Sequence, residues 1–539
     1  MRVPMSRLPG TSTLVQDYLD RFERVAEFFE GDYRNSEAYL ERSDRVKSRS
    51  LPLGRLVPVL REQNERFGCG AQTLEKIDLL LERRACAVVT GQQTGLFGGP
   101  LFTLYKALTA IRLAERLNRT CEGCYVPVFW LASDDHDFRE VNHVTVVNKT
   151  NRLVTLTYEA HPAERREPVS QVTLTEEIAA LVHQLGEETH PAEFKDAVLA
   201  QLSEAYRPSV AFSAAFGTWL MGLLKSFGVI FIDASDRRIK ALGSEIFRRE
   251  IAEQSPSTRA ALEQSARLVA SGYHTQVQLH EGRLNLFYVQ DERHAVEVDD
   301  GVLRVKGVEQ TFGQDDFLRE LEAHPERFSP NVILRPLFQD ALLPTLAYVA
   351  GPGEIAYYAQ MKGIYQAFGL TMPIIYPRKS LTLLEARVEK VLDKYGLAVW
   401  DFWGNVDSLI NGIVRTQLPE GLEAQVGEVA RAVQEKMQAL GEVVTGFEPT
   451  LGDTVKNIQN RIASQLDLLE KKVLQAYKKR NEVIGQQLLK AQISLFPNHH
   501  LQERELNVLP YLFKHGFEFI DRLYEAMDIS DFDHQIVRI

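Results

Sequence analysis

Apolar residues recur at helical spacing along residues 13–82, where Leu14, Tyr18, Phe22, Val25 and Phe28 lie three or four positions apart, so this stretch is predicted to form amphipathic helices. At Ala85 the pattern changes. A short apolar run, ACAVVT, gives way to a glycine-rich segment, then to the helix-like PLFTLYKALTAIRLAERL, then to a second run, VPVFWLAS. Strand, turn, helix and strand in this order predict a β-α-β unit and hence a parallel sheet. GVIFIDASD (228–236), which leads into RRIKALGSEIFRREI, and MPIIYP (372–377) repeat the theme.

Between these returns the periodicity alternates. VTVVNKTNRLVTLTY (144–158) and residues 274–306, broken at Glu281-Gly282 and Asp299-Asp300-Gly301, are predicted to form antiparallel hairpins. After Ser380 the chain is long and helical. Leu422, Val426, Val429, Val433, Met437 and Leu440 step by three or four, as do Ile462, Leu466, Leu469, Val473 and Ala476, a stripe that an intramolecular helix pair and an intermolecular seam satisfy equally.

The fold expected is therefore α/β, a doubly wound parallel sheet with two inserted subdomains and a C-terminal helical coiled-coil domain. The boundaries expected are 1–84 for a helical N-terminal region, and 85–143, 206–260 and 326–384 for three parts of the core. Insertions occupy 144–205 and 261–325, the second with antiparallel strands. A coiled-coil domain spans 385–496, and a segment at 497–539 folds back.

Composition narrows the partners. With 62 basic and 73 acidic residues the net charge is −11, which withholds the positive footprint that nucleic-acid binding draws on. Four cysteines are too few for a disulfide framework at this length. The first residues hold no apolar h-region, and no apolar run approaches the roughly 18 to 20 residues that span a bilayer. A cytoplasmic protein with neither nucleic-acid nor membrane partners is expected.

Chemistry is concentrated at predicted strand ends. VTGQQTGLFGGPLFTLYK puts Gly91, Gly95, Gly98 and Gly99 between a strand and a helix, where backbone can approach an anion, but it matches neither the dinucleotide fingerprint nor the P-loop. A plain βα turn is the structural alternative. Ser133-Asp134-Asp135-His136-Asp137, followed by Glu140, Asn142 and His143, falls at the carboxyl end of VPVFWLA, where open α/β sheets bind ligands. Carboxylates so crowded call for a nearby cation, whether a substrate ammonium, an Arg or Lys, or a metal; solvated acids capping the next helix would also account for them. Arg335, Gln339, Asp340, Glu354, Tyr357, Tyr358 and Lys362 crowd a segment punctuated by Pro336, Pro344 and Gly351-Pro352-Gly353. Arg378-Lys379-Ser380 follows the last apolar strand and could hold a phosphate or carboxylate, or cap a helix at Ser380 or Thr382. Cys121 and Cys124 form a lone C-x-x-C with no second ligand pair, so no metal site is assigned.

TGQQTGLFGGPLFTLYKA, FWLASDDHDFREVNH, LRPLFQDALLPTLAYVAGPGEIAYYAQMKG, PRKSLTLLE and SLFPNHHLQER occur in one order along essentially the whole chain and resemble the BshC family, the cysteine ligases of bacillithiol biosynthesis. The resemblance implies a Rossmann-like core, a C-terminal coiled coil able to support a homodimer, and the ligation of L-cysteine to glucosaminyl malate. Gly98-Gly99-Pro100-Leu101 and Arg378-Lys379-Ser380 stand where synthetase-type cores carry HIGH-like and KMSKS-like motifs, without reproducing them. ATP is thus expected from the need to activate a carboxylate rather than from a nucleotide motif.

On this reading Asp135, His136 and Asp137 are the catalytic candidates, orienting ammonium groups and accepting a proton. Gly91, Gln92, Gln93, Gly98, Gly99 and the Arg378-Lys379-Ser380 loop are candidates for phosphate and substrate, Arg335 and Lys106 for the malate carboxylates, and His143, Gln339, Asp340, Glu354 and Tyr357 for further substrate contacts. Asn498, Gln502 and Arg504 are candidates for a second ligand pocket. A nucleotidyltransferase for another small acid and a noncatalytic coiled-coil scaffold are the competing classes.

Overall fold

Five apolar segments become one parallel sheet in the computed structural model: β1 (Ala85–Gln92), β2 (Cys124–Leu131), β3 (Ile230–Asp233), β4 (Thr345–Ala350) and β5 (Ile374–Pro377). The structure describes all residues except 83–84, 163–164, 300, 417–420 and 481. Asp300 of the expected Asp-Asp-Gly turn therefore lies outside the described residues, as does the side chain of Leu422. The spatial order is β5-β4-β1-β2-β3. Every pair is parallel, with Gln92 beside Leu131, Leu131 beside Asp233, Val89 beside Tyr348 and Ala350 beside Pro377. From β1 the chain builds outward through β2 and β3, then returns to the other side of β1 for β4 and β5. The switch point lies between β1 and β4, and an open α/β sheet binds its ligand at such a point, beyond the carboxyl ends of the strands.

The strands read as continuous apolar runs because both faces are covered. Val88, Val89, Val128, Phe129, Ile230, Phe231 and Val349 have no exposed surface. α1 (Leu101–Thr120) crosses from β1 to β2, α2 (Arg237–Ala252) follows β3, α3 (Arg335–Leu342) precedes β4 and α4 (Pro352–Tyr358) follows it. The open edge of β3 is closed by two amides of the helix Leu53–Arg66. Asn64 exchanges two hydrogen bonds of 2.8 Å with the Phe231 backbone, and Gln63 does the same with Asp233 at 2.9 and 3.2 Å. Side chains thus stand in for a sixth strand and remove an edge that would otherwise pair with another chain.

Insertions carry the antiparallel structure. His143–Val147 pairs with Leu153–Thr157. Gln310–Gly313, Val302–Val305, Arg293–Asp299, Arg283–Val289 and Phe328–Pro330 form a five-stranded sheet in that order. Two local expectations fail. No strand precedes Gly282 to pair across the Glu281-Gly282 turn, and Ser380 and Thr382 do not cap a helix, because Leu381–Leu384 is a strand.

The chain divides into two compact units, Met1–Thr382 with Gln502–Val537, and Leu383–Leu501 with Arg538–Ile539. In the second, α5 (Leu422–Phe447) folds back on α6 (Gly452–Arg480), close enough that a Cβ added at Gly441 would meet Val455 Cγ1 at 2.9 Å. The hairpin leaves Val429, Leu440 and Leu469 of the expected stripe about half exposed. Among the described residues no helix is long and apolar enough to cross a membrane.

Candidate active site

A cavity of about 660 Å³ opens at the switch point, lined by Gly91–Gln93 after β1, Asp134–His136 after β2, Gly351–Glu354 after β4 and Arg378 after β5, together with Lys106, Arg335, Tyr357 and Arg504. Its size is that of a site for a small organic ligand. Gly91 is required there by sterics, since a Cβ would stand 2.9 Å from the Trp130 carbonyl oxygen.

Asp135 is the centre of one wall. Its Oδ1 accepts from the His136 backbone N–H at 2.8 Å and from Arg293 Nη1 at 3.2 Å, and its Oδ2 accepts from Gln93 Nε2 at 2.7 Å. Burial pushes this carboxyl up, but the hydrogen bonds from His136 and Gln93 and the Arg293 charge outweigh it and hold it well below the usual carboxylate range. The same Gln93 amide donates to Glu140 at 2.9 Å. Both nitrogens of His136 face guanidinium groups, Nδ1 at 3.1 Å from Arg293 and Nε2 at 3.0 Å from Arg166. A neutral imidazole has one lone pair and accepts from one of them at a time. Asp134 is turned toward Lys240, whose Nζ lies 3.0 Å from Oδ1, and it also lines a second cavity of about 670 Å³.

Cations across the cavity are of two kinds. Some are spent. Lys106, buried in α1, donates to the Gly91 carbonyl at 2.7 Å and pairs with Glu354 at 2.6 Å, and burial lowers its pKa. Glu354 is occupied too, accepting from Tyr348 and from the Gly351 N–H, each at 2.8 Å. Arg378 is gripped by Glu503. Others make no direct ion pair among the described residues. Among the described residues Arg335 donates to neutral groups, Gln339 Oε1 at 3.3 Å and Tyr357 Oη at 3.0 Å, with the Glu354 charge acting on it without a direct ion pair, and Arg504 is exposed and makes no hydrogen bond or ion pair.

Several candidates stand elsewhere. Gly98 and Gly99 adopt positive φ of 95° and 70° in a closed turn, where Asn507 donates to the Gly99 carbonyl at 2.6 Å and a Cβ at Gly98 would press on the Trp219 indole at 3.1 Å. They do not line the cavity, and their N–H groups are spent on the Gly95 and Leu96 carbonyls. Lys379 points to Asp531 and Ser380 to Glu503 and His534. Asp137 is exposed at the start of the short helix Phe138–Val141, and His143 is exposed with Nδ1 beside the Arg139 carbonyl. Gln339 and Asp340 lie behind the wall. Asp340, its pKa raised by burial, accepts from Tyr365 at 2.6 Å, while Gln339 braces Arg335. Of the three residues assigned to a second pocket, Arg504 lines the cavity just described, Gln502 is buried in the same unit, and Asn498 belongs to the other unit.

Sequence reasoning missed Arg293 and Glu503. Arg293 sits in a polar hairpin strand, RHAVEVD, that gives no sign of reaching β2. Glu503 lies within the quoted motif SLFPNHHLQER, and only its buried place beside Arg378 distinguishes it from its neighbours.

An open parallel sheet with a charged, small-molecule cavity over its switch point defines an α/β enzyme. Comparison with known proteins gives the family. The family model described as Bacillithiol biosynthesis BshC, N-terminal Rossmann-like domain, matches residues 1–379, and that of the BshC C-terminal coiled-coil domain matches 381–539. A Salinibacter ruber protein named "Putative cysteine ligase BshC" is 37% identical across 100% of this chain and 98% of its own. Proteins of the same name from Chlorobaculum tepidum and Chloroherpeton thalassium are 34% and 32% identical, each across 98% of this chain and 97% and 95% of their own. The chain belongs to the BshC family of bacillithiol biosynthesis, and it is an enzyme of the ligase class.

Proposed function

We propose that this cavity joins the carboxylate of L-cysteine to the amine of glucosaminyl malate, the last step of bacillithiol synthesis. The observation that carries the reading is the pairing, in one cavity, of an ionised carboxylate at Asp135 with guanidinium groups at Arg335 and Arg504 that make no ion-pair contact with a carboxylate among the described residues. Both substrates carry an ammonium and carboxylates, and need both kinds of partner. Arg335 takes a malate carboxylate in two-point fashion, as a guanidinium fork does. Lys106, spent on Glu354, holds the wall instead of the ligand.

Asp135 orients an ammonium group. The attacking amine must shed a proton, which His136 or a cavity carboxylate takes. The carboxylate must also be activated, because oxide is a poor leaving group, and ATP is the proposed co-substrate. The cysteine carboxylate attacks a phosphorus of ATP, breaking a phosphoanhydride bond and releasing ADP or pyrophosphate; the amine then attacks the acyl carbon, and its N–C bond forms as the C–O bond breaks and phosphate or AMP leaves. Gly98 and Gly99 lie outside the cavity lining, so no residue is assigned to the nucleotide. The enzyme is further proposed to be cytoplasmic and to dimerise through α5 and α6.

Purified enzyme given cysteine, glucosaminyl malate, ATP and magnesium should form the amide product by mass spectrometry, and omission of ATP should abolish it. Isothermal titration separates the competing classes: a scaffold binds none of the three small molecules, and a nucleotidyltransferase for another acid ignores the sugar. Product formed at the wild-type rate by a stably folded Asp135→Asn, His136→Ala double variant would remove the assignment.

A further inference from the structure

Arg293 is a buried cation from the antiparallel insertion, and its donors are divided between anchoring and presentation. It is 5% exposed. Its Nε donates to Ser329 Oγ at 3.1 Å and its Nη2 to the Pro330 carbonyl at 2.7 Å, while its backbone N–H donates to the Arg166 carbonyl at 2.8 Å. The guanidinium packs over Phe287, 4.1 Å from the ring centroid. These contacts fix its plane. What remains is Nη1, aimed at Asp135 Oδ1 and at His136 Nδ1.

We propose that Arg293 is a positioning residue for the ligation, acting through Asp135 and His136, whose side chains it fixes at the wall of the cavity. The inference rests on the reading in which Asp135 receives a substrate ammonium. A buried charge adds little net stability compared with an apolar side chain of similar size. The rigid fork does something an apolar residue cannot do: it ties the loop after β2 to Ser329 and Pro330 on the edge strand of the antiparallel sheet while presenting one donor to the site. Lysine keeps the charge but has no fork, and cannot span Ser329, Pro330 and Asp135 at once.

The charged and titratable groups around Asp135 are His136 and Asp134 on its own loop, Arg293 from the insertion sheet, Glu140 across the Gln93 amide, Arg166 beyond His136, and Lys240 behind Asp134. Of the arginines and lysines in this set Arg293 alone touches the Asp135 carboxylate among the described residues, at 3.2 Å, with the His136 ring at 3.5 Å from the same oxygen. Its loss should therefore let that carboxyl titrate at higher pH.

The test uses the full-length enzyme and the variants Arg293→Lys, Arg293→Gln, Ser329→Ala and Asp135→Asn, with folding checked by urea unfolding. Arg293→Lys should lose about 10²-fold in kcat/KM, the scale of a misplaced catalytic wall. Arg293→Gln should in addition move the acid limb of the kcat/KM profile to higher pH. Ser329→Ala, which loosens one anchor and keeps the charge, should lose a few-fold with the limb unmoved, and it serves if the Arg293 variants fail to fold. Arg293→Lys combined with Asp135→Asn should lose clearly less than the product of the two single losses, because both act on Asp135 and Arg293 then has only its contact with His136 left to lose. A folded Arg293→Lys enzyme with wild-type kcat/KM, losses that simply add in the double variant, or an unaffected Ser329→Ala enzyme would each overturn the proposal. A carboxyl carbon NMR titration, with Asp135 assigned from the Asn variant, needs no substrate. If wild-type enzyme makes no amide product, the functional reading falls, and this titration still decides whether Arg293 governs Asp135: the resonance must shift its midpoint upward in Arg293→Gln, and an unchanged midpoint refutes it.

Discussion

Glu503 holds Arg378 by both carboxylate oxygens, Oε1 at 2.6 Å from Nη2 and Oε2 at 3.0 Å from Nη1, and both side chains are almost fully buried. The same carboxylate accepts from the Ser380 hydroxyl and the Leu381 N–H, each at 2.9 Å. Burial pushes the Glu503 carboxyl up, but the Arg378 charge outweighs it and holds the pKa below the ordinary value. Removing one charge strands the other in a medium that solvates it poorly. Glu503→Gln should cost about 3–5 kcal/mol in urea unfolding. Replacing the pair together, Arg378→Met with Glu503→Leu, should recover much of that loss, since a well-packed apolar pair is often neutral or better.

Asp135→Asn keeps the shape of the side chain and removes its charge. The substrate ammonium then has no carboxylate to align it, and kcat/KM should fall by about 10²-fold at pH 7. Steady-state kinetics with each substrate varied in turn checks this. Fixed binding with a collapsed kcat is not expected, because the lost contact is made to the ground state as well.

Arg335→Gln should raise KM for the dicarboxylate substrate by about tenfold or more, the equivalent of one charged hydrogen bond worth about 1.5–3 kcal/mol. KM for cysteine should change less. Arg335→Lys should rescue only part of the loss, since an ammonium cannot make the two-point contact.

His534 sets a pH limit on stability. It has no exposed surface, and its nitrogens stand 2.7 Å from the Ser380 hydroxyl and 2.8 Å from that of Thr382. Burial pushes its pKa down to about 4. The unfolded chain, with its histidine near 6.5, binds the proton more readily than the folded one, so stability rises with pH across this window. The contribution is complete above pH 6.5 and drains away as the pH falls from 6.5 toward 4. Between pH 7.5 and 4.5 it amounts to roughly 2–3 kcal/mol. The difference in urea stability between those two pH values should be smaller by that amount in His534→Asn than in wild type.

Four of the five core strands are legible as apolar runs followed by helical or turn-rich sequence. β4 is not, because Pro344 and Gly351-Pro352-Gly353 crowd so close to TLAYVA that punctuation masks the run, although its burial is complete. Strand-end reasoning brings Asp135, Gln92 and Arg378 to one rim, since a parallel sheet sends all its carboxyl ends the same way. Which charge neutralises which is another matter. Glu503 claims Arg378, Glu354 claims Lys106 and Asn507 closes the glycine turn, and each pairing depends on tertiary contacts between residues far apart in the chain. Periodicity has no access to such pairings, and the same holds for Arg293, delivered to the site by a sheet that lies outside the core.

The most direct measurement is the rate of amide product formation from cysteine and glucosaminyl malate, with ATP and magnesium, by wild-type enzyme and by a folded Asp135→Asn, Arg335→Gln double variant. Robust turnover in the first and none detectable in the second is the predicted result. Equal rates in the two would show that the bond is made somewhere other than this cavity.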